Sequence, residues 1–128
     1  MSVEPGLRVL IVEDEPIVAM DLTDMVESWG HSVVGPANRP ATGTALARSE
    51  AIDFAVLDVN LGRGQTTESI AAALREREIP FIFLSAYNAS SIEYRQDEVV
   101  LSKPIIENQL FEHLVHQAES RQPQDEQS

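Results

Sequence analysis

The stretch Phe54-Ala55-Val56-Leu57-Asp58-Val59-Asn60-Leu61-Gly62 decides the fold. An apolar run of strand length ends in a single carboxylate, and a loop that contains glycine follows at once. Short apolar runs bounded by turn signals are typical of strands that are buried on both faces of a sheet. Open α/β sheets keep their ligand sites at the carboxyl ends of the strands. Asp58 is therefore the first candidate functional residue.

Further apolar runs occur along the chain, and stretches of helical periodicity separate them. The expected strands are 7–12, 31–34, 53–57, 81–84 and 99–101, with Gly35-Pro36 closing the second one. The expected helices begin at Pro16, at Pro40, at Thr66 or Thr67, after residue 86 and after Pro104. The fourth helix has little sequence to form from and should be short or irregular. Alternating strands and helices predict an α/β fold with a doubly wound (βα)5 five-stranded parallel sheet.

The apolar positions of the later helices predict the side that each helix buries. The expected buried residues are Ala41, Ala45 and Leu46 in the second helix, Ile70, Ala71 and Leu74 in the third, and Ile106, Leu110, Leu114 and Ala118 in the last. These sides should cover the two faces of the sheet.

Length and composition favour a single domain. The 128 residues contain no cysteine, no secretion signal and no apolar run long enough to span a membrane, so we expect a soluble cytoplasmic protein. We expect the domain to occupy residues 1–119 and the polar residues 120–128 to form a disordered tail. The net charge of −12 excludes a nucleic-acid backbone as a direct partner.

Polar side chains follow the apolar runs where each predicted strand ends. They are Glu13 and Asp14 after the first strand, Asp58 after the third, Ser85 after the fourth, and Lys103, the only lysine of the chain, after the fifth. Because the carboxyl ends of parallel strands meet at one edge of a sheet, these groups should share one shallow site.

The clustered carboxylates of this edge predict a divalent cation. Two carboxylates about 4 Å apart repel each other by roughly 4 kcal/mol at an effective dielectric constant near 20, and one lysine does not neutralise three of them. Mg²⁺ prefers one or two carboxylates together with other oxygen ligands. We expect direct ligation by Asp14 and Asp58, with Glu13 close by or acting through water, and with the main-chain carbonyl of Asn60 as a further ligand.

A carboxylate beside a cation and an ammonium group is suited to phosphoryl transfer. Asp58 would be the nucleophile that forms an acyl phosphate, while Lys103 neutralises charge and the hydroxyl of Ser85 binds a phosphoryl oxygen. Each feature alone also has a structural explanation, since an acidic run before Pro16 favours a helix start and Ser85 suits a turn. The combination in this strand order is what indicates function.

The pattern resembles the receiver domain of two-component response regulators, and the resemblance extends from Leu7 to Ala118. It rests on the segments 9–15, 56–58, 83–86 and 103–104, which read VLIVEDE, VLD, FLSA and KP. The resemblance implies the flavodoxin-like receiver fold, phosphorylation of Asp58 by a histidine kinase with Mg²⁺, and a cis peptide bond between Lys103 and Pro104. It also implies a phosphoacceptor signalling domain rather than an enzyme, and such a domain can dephosphorylate itself slowly.

One subgroup of receivers is especially similar. The segment 80–87, PFIFLSAY, is similar to the signature of the FAT GUY receivers, which are mostly stand-alone regulators linked to histidine kinases of the HWE type or their relatives. Ser85 replaces the usual threonine and Ala86 the usual glycine. Val100 occupies a position where many receivers carry an aromatic switch residue, and Tyr87 is the residue that we expect to take over part of that role.

The resemblance leaves the output open. Such receivers bind downstream proteins, relay phosphate to a histidine phosphotransfer protein, or act as a phosphate sink for the kinase. The alternative function is an interaction module that has the receiver fold and does not depend on phosphorylation.

Other interpretations of the residues are weaker. Phosphatases of the haloacid dehalogenase type require a second aspartate where this chain has Asn60, and a P-loop is excluded because Lys103 follows no glycine-rich loop. His113 and His116 are interpreted as part of a solvated helix face, and His31 as a structural residue.

Overall fold

The computed structural model describes residues 6–62, 64–86 and 92–120. Its strands are β1 (Arg8–Val12), β2 (Ser32–Ala37), β3 (Phe54–Asp58), β4 (Phe81–Ser85) and β5 (Val100–Ser102). Its helices are α1 (Pro16–Ser28), α2 (Pro40–Ser49), α3 (Glu68–Glu76) and α4 (Glu107–Ser120). Within the described ranges, no helix is long and apolar enough to cross a bilayer.

The strands form one parallel sheet in the order β2-β1-β3-β4-β5. Successive side chains of a strand point to opposite faces, so the central strands contribute to two separate cores. Leu10, Leu57 and Phe83 pack with α2 and α3 on one face. Val9 and Val56 pack with α1 and α4 on the other face. This arrangement confirms the predicted doubly wound sheet.

The last two helices largely follow the prediction. In α3, Ile70, Ala71 and Leu74 are buried as expected. In α4, three of the four expected positions are buried, whereas Ile106 precedes the helix and is 54% exposed. Ser120, which we expected in the tail, ends α4, and the remaining predicted tail residues, 121–128, lie outside the described residues.

The prediction for α2 is wrong about which side is buried. Ala41 and Ala45 are exposed and Leu46 is half-buried, whereas Gly43 and Ala47 are buried. A Cβ atom added at Gly43 would collide with Cδ1 of Ile70 in α3. The two helices therefore approach each other through a glycine, which carries no hydrophobic signal in the sequence.

The second strand is longer than predicted. It continues through Gly35 and Pro36 to Ala37, with a register shift against β1, and its pairing resumes between Val12 and Ala37. Proline is tolerated on an edge strand because its missing N–H faces away from the ladder. The peptide bond between Gly35 and Pro36 is cis.

Residues 92–99, between β4 and β5, contain no helix. Ile92 is 5% exposed and packs in the core beneath α2 and α3. Arg75 of α3 donates two hydrogen bonds to the Glu98 carboxylate, both of 2.9 Å, and one of 2.8 Å to the carbonyl of Tyr94. A non-helical segment thus covers the sheet at 92–99, whereas residues 87–91, where the short or irregular fourth helix is expected to begin, lie outside the described residues.

Candidate functional site

Asp58 is the last residue of β3 and is almost completely buried. Its Oδ2 accepts a hydrogen bond of 3.0 Å from Lys103 Nζ, and its Oδ1 accepts one of 3.3 Å from the Asn60 N–H. Lys103 follows β5 directly, and its own N–H donates to the Ser85 carbonyl over 3.0 Å. The edge of the sheet therefore brings the predicted nucleophile and the predicted ammonium into contact.

Glu13 is more deeply buried than Asp58, with 1% of its surface exposed. Its Oε2 accepts a hydrogen bond of 3.1 Å from the Glu15 N–H. Its Oε1 forms an ion pair of 3.1 Å with Lys103 Nζ but has no partner with hydrogen-bond geometry among the described residues. One ammonium group is thus shared between two buried carboxylates.

Asp14 is the half-buried member of the acidic group. A Cβ atom added at Gly62 would lie 3.2 Å from Asp14 Oδ2, and Gly62 has a φ of +78°, so a side chain there would crowd the carboxylate and strain the backbone. The loop before Gly62 is fixed by the 2.8 Å hydrogen bond from the Gly62 N–H to Asn60 Oδ1. Because Gly62 has no side chain, the carboxylate of Asp14 stays open to the surface on this side.

An open depression lies over these groups. Asp14, Asp58, Ser85 and Lys103 line it, and Asn60 is also among its lining residues. Ser85 is 2% exposed and pairs with Ser102 in the ladder between β4 and β5. Asp14, Asp58, Ser85 and Lys103, predicted at the ends of four strands, therefore share one surface opening, whereas Glu13 is not among its lining residues.

The donor set fits a hard divalent cation. One oxygen of each of Glu13, Asp14 and Asp58 lies within 4.8 Å of the others. Glu13 Oε1, without a hydrogen bond, is a buried acceptor that such an ion would satisfy. Oxygen ligands of this kind suit Mg²⁺ rather than a soft transition metal.

The charges of the cluster perturb one another. Burial raises the pKa of Glu13 to about 7, and the negative charge of Asp58 adds to this effect, while the Glu15 N–H and Lys103 oppose it. Burial alone would lower the pKa of Lys103, but its contacts with Asp58 and Glu13 outweigh burial and raise that pKa. These shifts keep the ammonium of Lys103 charged and disfavour ionisation of Glu13.

The histidines singled out in the sequence lie apart from this cluster, and Tyr87 lies outside the described residues. His31 is buried, its Nδ1 accepts a 3.0 Å hydrogen bond from the Leu7 N–H, and burial lowers its pKa, so it is structural as expected. His113 and His116 belong to no metal-binding group in the described part of the chain. The peptide bond between Lys103 and Pro104 is cis, as the resemblance implied.

Tyr94 lies beside the site, although the sequence did not predict it there. Its hydroxyl donates a hydrogen bond of 3.2 Å to the carbonyl of Val59, the residue after Asp58. The same oxygen accepts from the Thr67 N–H at 3.3 Å and lies 3.0 Å from Thr67 Oγ1. Its ring makes an edge contact with Phe83. A tyrosine in a polar segment gives no periodic signal, so only the folded chain shows this contact.

The comparisons with known proteins agree with this geometry. A family model described as the response regulator receiver domain matches residues 9–115. The chain is 33% identical over 89 residues to the phyllosphere-induced regulator PhyR of Methylorubrum extorquens, and this match covers 68% of the chain and 33% of PhyR. It is 35% identical over 81 residues to the protein PilH of Pseudomonas aeruginosa, a match that covers 61% of the chain and 66% of PilH.

Solved structures show the same fold. The solution structure of the receiver domain of Erythrobacter litoralis PhyR superimposes with a TM-score of 0.77 at 27% identity, covering 94% of this chain and 95% of that one. The crystal structure of PhyR from Brucella abortus gives a TM-score of 0.74 at 32% identity, covering 88% of this chain and 47% of that one. The chain thus spans about a third of the curated PhyR and about half of the Brucella structure.

Proposed function

Since this chain belongs to the response regulator receiver family, we propose that Asp58 accepts a phosphoryl group from a histidine kinase in a reaction that uses Mg²⁺. The family consists of signalling domains and not of enzymes. The observation that carries the proposal is the cluster of three carboxylates that includes Asp58, with Lys103 Nζ 3.0 Å from Asp58 Oδ2, at an open depression.

The transfer would proceed by attack of an Asp58 carboxylate oxygen on the phosphorus atom. The new bond joins this oxygen to phosphorus and gives an acyl phosphate. The bond that breaks joins phosphorus to a histidine nitrogen of the kinase, and this nitrogen keeps the electron pair and takes up a proton. Lys103 neutralises charge on the transferred group, and Ser85 donates a hydrogen bond to one of its oxygens. The phosphoacceptor role of Asp58 and the roles of Lys103 and Ser85 are parts of this proposal.

We propose that Asp14, Asp58 and the main-chain carbonyl of Asn60 hold Mg²⁺ directly, and that Glu13 acts beside them or through water. When bound, the ion supplies positive charge to the phosphoryl oxygens. The support comes from the acidic cluster and from Glu13 Oε1, a buried oxygen without a hydrogen bond.

The finer assignments rest on sequence motifs. We propose a receiver domain that extends to the end of α4 at Ser120 and is followed by a tail, in the cytoplasm, where it meets its kinase. The segment 80–87 supports membership of the FAT GUY subgroup and a kinase of the HWE type. We propose that the protein binds a downstream protein, relays phosphate to a histidine phosphotransfer protein, or acts as a phosphate sink for the kinase. Direct binding of nucleic acid is not proposed, because the net charge of −12 opposes it.

Phosphorylation with acetyl phosphate tests the proposal. The wild-type protein, Asp58→Asn and Asp53→Asn are incubated with acetyl phosphate and Mg²⁺ and then analysed by mass spectrometry of the intact chain. Asp53→Asn is a matched control because Asp53 precedes the amino end of β3. We expect wild type and Asp53→Asn to gain the mass of one phosphoryl group and Asp58→Asn to gain none.

Two results would contradict the proposal. If the folded wild type is not modified, the phosphorylation-independent interaction module becomes the better interpretation. If Asp58→Asn is modified as fast as wild type, another residue is the phosphoacceptor.

A further inference from the structure

Tyr94 contacts the residue that follows the proposed phosphoacceptor. Val100 carries no ring, and the hydroxyl of Tyr94 reaches the Asp58 loop from the non-helical segment 92–98 instead. This hydroxyl has one hydrogen, which it donates to the Val59 carbonyl at 3.2 Å. Thr67, which is fully buried, then donates to the phenolic oxygen from its N–H and its hydroxyl. In this arrangement the phenolic oxygen has one donor role, toward Val59, and two acceptor roles, toward Thr67.

One peptide unit joins Tyr94 to Asp58. The carbonyl of Val59 and the N–H of Asn60 belong to the same planar group. The carbonyl end accepts from Tyr94, while the N–H end donates to Asp58 Oδ1 at 3.3 Å. Because the unit is rigid, a rotation that weakens one of these hydrogen bonds also displaces the other, and polarisation passes along the chain of bonds.

The segment that carries Tyr94 is itself attached to α3 at both ends of the helix. The Tyr94 side chain binds Thr67, which precedes α3. Near the other end, Arg75 binds the Tyr94 carbonyl at 2.8 Å and the Glu98 carboxylate. Glu98 also accepts a 2.9 Å hydrogen bond from the Gln96 N–H. A change at the Tyr94 hydroxyl therefore reaches a compact, hydrogen-bonded unit rather than a free loop.

We infer that Tyr94 is a positioning residue that couples the state of Asp58 to the segment 92–98. This inference rests on the proposed phosphorylation of Asp58. Phosphorylation converts the Asp58 carboxylate to an acyl phosphate, in which the negative charge lies on the phosphoryl oxygens and no longer on the carboxyl oxygens. The Asn60 N–H then has a weaker acceptor, and the Val59–Asn60 peptide and the Tyr94 hydroxyl readjust together.

The test uses Tyr94→Phe, which keeps the ring contact with Phe83 and removes only the hydroxyl. Amide NMR spectra of the full chain are recorded with Mg²⁺ before and after addition of beryllofluoride, a phosphoryl mimic. Thr23→Val is the matched control, because Thr23 also donates a hydroxyl hydrogen bond to a carbonyl, that of Ala19 at 2.8 Å, within α1 on the opposite face.

In wild type and Thr23→Val we expect shifts at Asp58, at Lys103 and in 92–98. In Tyr94→Phe we expect the shifts at 92–98 to fall by about half or more relative to those at Lys103, because the hydrogen-bonded link is lost. The rate of phosphorylation by acetyl phosphate should fall about fivefold, since the Asp58 loop is less well positioned. If the Tyr94 hydroxyl only stabilised the fold, Tyr94→Phe would resemble Thr23→Val. Its stability would fall, but the ratio of the shifts and the rate of phosphorylation would stay as in wild type.

The outcomes separate the two proposals. A wild-type shift ratio and phosphorylation rate in Tyr94→Phe would overturn the coupling role and leave the phosphoacceptor assignment intact. Absence of any shift around Asp58 in folded wild type would overturn the proposed function, and the coupling role with it.

Discussion

Polar groups at the amino edge and at the carboxyl edge of the sheet are paired in different ways. At the amino edge, His31 accepts the Leu7 N–H and Asp53 accepts the Arg8 N–H at 2.8 Å, so each polar group has a neutral backbone partner. At the carboxyl edge, Glu13 and Asp58 share one ammonium group and leave a buried oxygen without a hydrogen bond. The difference teaches that hydrogen bonds to the backbone mark the structural edge and that crowding of like charge marks the functional one.

The largest expected effect is on metal binding at the carboxyl edge. Asp14→Ala removes the accessible carboxylate, and we expect its Mg²⁺ affinity to fall by about 100-fold or more, since even outer-shell changes cost roughly 10–100-fold. Titration calorimetry measures the affinity, with Asp24→Ala on the exposed side of α1 as the control. An unchanged affinity in Asp14→Ala would show that the cation site is wrongly assigned.

The second expected effect is a gain in stability. The pKa of Glu13 is raised from 4.5 to about 7 in the folded chain, so between these values the folded state binds more protons than the unfolded state. Protonated Glu13 therefore contributes to the stability of the fold at low pH, and this contribution is lost as the pH rises through about 7. At about pH 8 without Mg²⁺, Glu13→Gln should raise the free energy of unfolding by about 1–3 kcal/mol.

Denaturant titrations at several pH values measure this difference. The gain should shrink toward about pH 5, where wild-type Glu13 is protonated in the folded state, and also at saturating Mg²⁺, which offsets the repulsion in wild type. A variant less stable than wild type under all of these conditions would mean that Glu13 is paired in the same manner as the groups of the amino edge.

The third expected effect concerns the shared ammonium. Lys103→Arg replaces the compact ammonium group by a larger, planar guanidinium group. The guanidinium group does not fit between Glu13 Oε1 and Asp58 Oδ2, where Lys103 Nζ contacts both oxygens. Mg²⁺ binding should persist, whereas phosphorylation by acetyl phosphate should slow by about tenfold. Rates are compared with those of Arg48→Lys on the exposed side of α2. Equal rates in all three proteins would show that the ammonium has no special role.

The smallest expected effect lies at the amino edge. Burial lowers the pKa of His31 from its ordinary value of 6.5, so below that value the unfolded state binds more protons and stability falls as the pH falls. His31→Gln removes this slope and costs about 1 kcal/mol at neutral pH, because the Leu7 N–H loses part of its hydrogen bond. Denaturant unfolding is measured against pH for Glu13→Gln with and without His31→Gln, so that Glu13 does not contribute to the pH dependence. If His31→Gln leaves the slope of stability against pH unchanged, His31 is not the source of that slope.

Much of the site is predictable because apolar runs mark buried strands, and the polar residue after each run must lie at the edge. This reasoning places Asp58, Ser85 and Lys103 together from the order of residues alone. The carboxylate cluster follows from the same alignment of strand ends, and the match to residues 9–115 confirms the family.

The remaining features depend on contacts that local sequence does not encode. Pro36 predicts an end to β2, but an edge strand needs no N–H on its outer side. The prediction for the buried side of α2 is wrong because Gly43 contacts Ile70 through its backbone. The contacts of Tyr94 with Val59 join residues 35 positions apart, and no short-range pattern reports them.

The strands at the two borders of the sheet have a consequence for self-association. β2 carries a proline and a register shift, and β5 has three residues. Amyloid-like growth and strand exchange require a long, flat row of unpaired backbone groups. The described border strands offer no such row, so the sheet is protected against extension by another chain.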